Sequence, residues 1–339
     1  MTNPVVVEVL RGDRVESAHR GAGAVVDADG GIAFAFGDVD RPIYPRSAVK
    51  GLQALPLVES GAADLLGLSR KEIALACASH AGEDAHVELA AAMLKKAGRD
   101  QSVLECGAHW PLGEAAARVL ARSGRDPGPL HNNCSGKHAG FVCLACACGI
   151  EPSGYVGWDH PVQRLVTGAL ADVTGARLDE TTRAVDGCSI PAYAIPLRAL
   201  ALGFARFADG QGLPPQRARA AARIRAAVAA HPSAVAGPGR FDTEAMTILG
   251  ARAFTKTGAE GAYCAALPER GLGIAVKADD GGGRAAQAMV AALIRRFGGF
   301  DEALTARFSR FLAPRLVNWR GVEVGALRPA GPLADHGHS

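Results

Sequence analysis

The chain has 339 residues, a formal net charge of +3, and 48% hydrophobic against 21% charged residues. That much apolar side chain excludes a largely disordered polymer, and the small, dispersed charge argues against nucleic acid as a partner. No apolar run reaches the roughly 18 residues of a membrane span. The eight cysteines, with no basic-then-apolar leader at Met1–Val7, point to reduced thiols in a cytoplasmic protein rather than a disulfide framework.

In chain order, Val5 to Leu10 and Val15 to Ala18 flank an Arg-Gly-Asp-Arg turn, and Gly23 to Val26 and Ile32 to Phe36 flank a second turn at Asp27–Gly31. Both predict antiparallel strands. From Pro45 the spacing of Leu52, Leu55 and Val58 predicts a helix, and helical patterns follow near 60–66, 83–97, 112–123, 136–148, 161–173, 193–207 and 215–230. Strand character returns at Gly261–Leu267 and Leu272–Lys277, then an amphipathic helix runs from Ala285 to Phe297. Strands at both ends with helices between them predict an α+β fold. One antiparallel sheet would be built from residues 1–45 and 250–328, with a helical lobe over 46–249 inside one two-lobed unit spanning 1–328. Residues 329–339, with His336 and His338, read as a polar unstructured tail.

Only seven of the 37 basic residues are lysine, which singles those lysines out, because an amine can lose its proton and a guanidinium cannot. Ser47-Ala48-Val49-Lys50 puts a hydroxyl and an amine on one helix face, where a neutral Lys50 would activate Ser47; a surface serine and lysine is the plainer reading. Lys256-Thr257-Gly258 leads into the late hairpin. An early Ser-x-x-Lys with a late Lys-Thr-Gly is similar to the layout of serine acyl-transfer enzymes of the β-lactamase type. Leu75–His80 ends an apolar run in Ser79, which either faces a cleft or caps the next segment of chain. His131–His138 is densely polar and precedes an apolar helix; Cys134 there and Cys188 in Asp186–Pro191 are either packing residues or thiolate donors for zinc. Cys143, Cys146 and Cys148 read as core packing despite their spacing. Cys106–Pro111 reads as a structured loop, and Gly237–Thr243 as a rigid turn or an arginine loop that contacts an anion.

Taken together and in this order, Arg46–Lys50, Cys77–His80, Cys106–Pro111, Asn132–His138, Asp186–Cys188, Gly239–Thr243 and Lys256–Gly261 resemble the Rhizobium etli-type L-asparaginases over about residues 4–328. That resemblance implies a fold similar to serine β-lactamases and glutaminases, a homodimer, and hydrolysis of L-asparagine to L-aspartate and ammonia. It implies two Ser–Lys pairs, Ser47 with Lys50 and Ser79 with Lys256, and a zinc ion on Cys134, Lys137 and Cys188. It implies a substrate held by Arg46, His138 and Asp186. A glutaminase or other β-lactamase-like amidohydrolase is an alternative, and a non-catalytic protein that binds zinc or an amino acid is another.

Overall fold

The computed structural model describes residues 2–334. Seven strands follow one another across an antiparallel sheet: Arg315–Val317, Glu323–Pro329, Val5–Arg11, Arg14–Asp27, Leu272–Ala278, Ala262–Leu267 and Phe254–Thr257. An eighth, Ile32–Phe36, pairs with the upper half of Arg14–Asp27. The two ends of the chain therefore meet in one sheet, as the α+β reading expects. Arg14–Asp27 is a single strand where the sequence suggests two. Its ladder to the late strand runs unbroken from Ala278 opposite Gly21 to Leu272 opposite Asp27, carrying the chain through the Gly-Ala-Gly interruption.

Alternation along the strands fills two cores. Ala24, Val26, Cys264 and Ala266 face the helical middle, while Val25, Tyr263, Ala265 and Val276 face the Gly283–Phe297 helix. The helix Leu197–Asp209 lies against the first face and buries Leu200, Phe204 and Phe207, each contributing roughly 1.5–3 kcal/mol of apolar burial. It begins four residues later than its periodicity suggests. Pro191 and Pro196 bias the residues before them to extended backbone, and short strand pairs form there instead.

The helix expected from Pro45 is broken into a 3-10 turn at Arg46–Val49 and short helices at Lys50–Gln53 and Leu55–Glu59. Pro56, without an N–H, falls at the start of the last of these. The chain remains structured past Pro329, through a 3-10 turn at Gly331–Leu333, so the expected tail is at most the residues beyond it; His336 and His338 lie outside the described residues. Among the described residues, no helix is long and apolar enough to cross a membrane.

Candidate active site

Three pieces of chain converge where the helical lobe meets the sheet's edge strand. The first is the Arg46–Gln53 segment. Arg46 has φ 51°, a left-handed conformation that a non-glycine residue adopts at a cost, and such strain concentrates at functional sites. The second is Ala76–His80, which leaves the Arg70–Leu75 helix through a turn at Ala76–Cys77. Ser79 N–H donates to Val235 O (2.9 Å) and His80 N–H to Asn133 O (3.2 Å), so Ser79 is gripped from both sides. The third is the strand Phe254–Thr257. Gly258 ends it, and a Cβ there would come within 2.4 Å of Pro45 O, so the glycine lets the strand abut the segment that carries Ser47.

At the junction, Ser79 Oγ stands 2.9 Å from Lys50 Nζ and 3.0 Å from Lys256 Nζ. All three side chains are buried. Lys50 Nζ also reaches Ala78 O (2.6 Å) and Cys134 Sγ (3.1 Å). Ser79 is thus held by both amines, whereas Ser47 has no hydrogen bond to Lys50 among the described residues. Ser47 is half-buried and lines one small cavity with Arg46, Lys50, Lys137 and Asp186. Burial, opposed by Asp242 and reinforced by Lys50, lowers the Lys256 amine to about 7. Burial also lowers Lys50, against the pull of Cys134.

Ser79 Oγ can accept from both amines, or accept from one and donate to the other where that one is neutral. Burial favours the neutral form of both amines, and the Lys256 amine, at about 7, gives up its proton near neutrality.

Cys134 opens the Ser135–Ala147 helix, its N–H held by Asn132 Oδ1 (2.8 Å). Asn132 Nδ2 in turn donates to Cys106 O and Gly107 O (2.8 and 3.1 Å), and His109 Nε2 accepts the Asn133 N–H (3.0 Å). The Cys106–Pro111 loop, whose purpose the sequence does not disclose, is the scaffold beneath Cys134. Gly136 lets this helix start against the Leu75 carbonyl, 2.4 Å from where a Cβ would lie. Cys188 sits in the tight loop Asp186–Ile190, with its N–H on Asp186 Oδ1 (3.1 Å) and with Ser189 at φ 76°.

The loop brings Cys188 Sγ to 3.0 Å from Lys137 Nζ and into hydrogen-bond contact with Cys134. That shared proton, against the resistance of burial and with help from Lys50 and Lys137, drops Cys134 well below the ordinary thiol range; Cys188, holding the proton, is pushed up. Burial lowers Lys137, but the two thiol groups outweigh it and the amine is raised. Among the described residues no three His, Cys, Asp or Glu side chains converge for a metal. A metal here would need the Lys137 amine as its third donor, and a nitrogen with two sulfurs is a set that suits zinc with an open position.

Arg46 and Asp186 form an ion pair at the cavity wall. His138, fully buried, faces Tyr155 OH through Nδ1 (2.6 Å), and that hydroxyl already accepts the Glu105 N–H (2.9 Å). The hydroxyl's own proton is available to Nδ1, an arrangement that puts the imidazole proton on Nε2, and Nε2 is buried without a partner among the described residues. Tyr155, in a Gly-Tyr-Val-Gly stretch, carries no sequence signal. Cys143 is buried as expected of a packing residue, Cys146 is half-buried and Cys148 is exposed. A larger cavity of about 440 Å³ shares Arg46 and Ala192 with the small one and is lined by Asp38, Arg41, Glu260 and Lys277. No serine lines it; Ser47 and Lys50 line the smaller one, and Ser79 and Lys256 line neither.

A family model described as L-asparaginase II matches residues 7–329. No curated protein matches the chain significantly. Among solved structures, it is similar to a β-lactamase from Mycobacterium bovis, at 14% identity over 85% of this chain and 94% of that one, with a TM-score of 0.39. It is also similar to Mglu in its native form, at 17% identity over 86% of this chain and 63% of that one, with a TM-score of 0.34.

Proposed function

The chain belongs to the L-asparaginase II family, and on that premise we propose that it hydrolyses L-asparagine to L-aspartate and ammonia. The observation that carries the mechanism is the Ser79 hydroxyl held between two buried amines, beside a cavity wall that bears Ser47. In this reading Ser47 is the nucleophile. As its oxygen adds to the side-chain amide carbon, its proton passes to Lys50, Lys50 gives one to Ser79, and the Ser79 hydroxyl proton moves to neutral Lys256. Collapse of the tetrahedral intermediate returns a proton along the same line to the departing nitrogen, which leaves as ammonia. Water then hydrolyses the acyl-serine by the same relay. The Ser47–Lys50 hydrogen bond that this reading needs is not formed here; catalytic contacts of this kind often tighten only when substrate arrives.

The Arg46–Asp186 pair supports the choice of an amino acid as substrate. Its charges complement those of a zwitterion, so a substrate carboxylate on Arg46 and an ammonium on Asp186 would replace the internal pair with two external ones. The unpartnered Nε2–H of His138 would donate to the same carboxylate, meeting a need the protein leaves open.

We extend the proposal to zinc held by Cys134, Lys137 and Cys188. Bound there it would supply a Lewis-acid contact that orients the substrate. Cys188→Ser should then reduce zinc retained after dialysis from about one equivalent to none, measured by metal analysis, with an unchanged far-UV circular dichroism spectrum. Full retention in the variant would remove Cys188 from the set. A homodimer is part of the same reading, and light scattering tests it.

The founding experiment is ammonia release from L-asparagine, with L-glutamine and simple amides in parallel, before and after chelation and zinc addition. Ammonia from asparagine in preference to the others supports the reading. Preference for glutamine moves the assignment to a glutaminase, and binding without release moves it to an amino-acid-binding protein.

A further inference from the structure

Lys256 can serve Ser79 only if its amine stays in place and stays able to take up a proton, yet it sits on the outermost strand of the sheet, paired on one side alone. Asp242, at the start of the Phe241–Leu249 helix and 2% exposed, secures that strand. Its Oδ1 accepts from Thr255 Oγ1 (2.9 Å) and from Tyr263 OH (2.5 Å), and its Oδ2 accepts the Thr257 N–H (3.1 Å). Thr255 and Thr257 flank Lys256, and side chains alternate along a strand, so Asp242 grips the face opposite the amine. All three donors are neutral, and no lysine or arginine pairs with Asp242 among the described residues. Three hydrogen bonds hold the carboxylate in place, and its charge acts on the Lys256 amine against the effect of burial.

We infer that Asp242 is a positioning residue of this site: it clamps the edge strand so that Lys256 Nζ rests on Ser79 Oγ, and its charge preserves the amine's ability to accept a proton. The other groups that face the amine pull in both directions. Lys50 and Arg240 oppose its protonation and Cys134 favours it. Cys77 and Cys264, both raised by burial, stay neutral. Among these, Asp242 exerts the largest charge effect.

The activity readout rests on the proposed amide hydrolysis, so a second readout is chosen that does not. With only seven lysines in the chain, the Lys256 side chain can be followed by NMR in protein labelled with 13Cε-lysine. Asp242→Asn removes the charge and keeps the size. It should move the acid limb of kcat/KM, and the Lys256 titration with it, to lower pH by about half a unit or more. Tyr263→Phe removes a donor that screens the carboxylate and should move both to higher pH. Asp242→Glu, with its charge restored, should bring the Lys256 titration back towards that of the wild type.

Opposite shifts in the Asn and Phe variants support the inference. If activity falls equally at every pH and the Lys256 titration stays at its wild-type position, Asp242 is only structural and the inference is overturned. Should Asp242→Asn fail to fold, the direction of the Tyr263→Phe shift decides by itself. A shifted titration in a protein that releases ammonia from no amide sinks the proposed reaction and leaves the role of Asp242 standing.

Discussion

Replacing Ser47 with alanine is expected to reduce kcat for ammonia release from L-asparagine by about 10⁴-fold or more, because loss of a nucleophile removes the covalent route entirely. Calorimetric affinity for asparagine should change by no more than about threefold, since the charged contacts assigned to Arg46, Asp186 and His138 do not involve the Ser47 hydroxyl. The relay behind it should also survive: Lys50, Ser79 and Lys256 hold one another without Ser47. The informative comparison is with Ser79→Ala. That variant breaks the hydroxyl link between the two amines, so it too should be severely impaired, but a small acceptor in solution cannot replace Ser47 and can in part replace a proton carrier. A Ser47→Ala protein that keeps more than about a tenth of wild-type turnover would transfer the attacking role to Ser79 or to water.

How much of this is legible in the sequence differs from residue to residue, and the differences have physical causes. The helix Pro215–Ala230, a run of strong helix formers behind Pro215, and the hairpin Ala262–Leu267 to Leu272–Ala278, closed by a tight turn, both fall where the sequence puts them. The helix Arg70–Leu75 is too short for periodicity to reveal, although Ser69 and Glu72 form a capping box at its start that is visible as Ser-Arg-Lys-Glu. At the site, the order and spacing of the motifs point to each group but not to who touches whom. Spacing along one helix face pairs Lys50 with Ser47; the tertiary fold instead seats the Lys50 amine on Ser79, 29 residues away, and on Cys134. Asp242 and Tyr155 are out of reach for a different reason. Each acts by hydrogen-bonding to a partner far along the chain, and no local pattern encodes such a contact.

Replacing Lys256 with methionine is expected to separate activity from stability in opposite directions. Methionine fills the same unbranched space without an amine, so Ser79 would keep Lys50 as a neighbour and lose its proton acceptor. Loss of a general base typically lowers rate by about 10²–10⁴-fold. In the wild type, Lys256 must be neutral to act, and its value of about 7 places the loss of kcat/KM below that pH, as the amine becomes protonated. The residual activity of Lys256→Met should lack that acid limb. Stability should go the other way. In the unfolded chain the amine has its ordinary value near 10.5, so unfolding takes up a proton between about pH 7 and 10.5. Wild-type stability therefore declines as pH falls through that window and levels off below about 7, where the amine is protonated in both states. The methionine variant escapes this cost, and it should be more stable by about 1–4 kcal/mol near pH 7, with an advantage that shrinks towards pH 10. Thermal denaturation of both proteins at pH 7 and pH 10 measures the difference. An advantage equal at the two values would mean that Lys256 keeps its proton in the fold, and the relay would then need another terminal base.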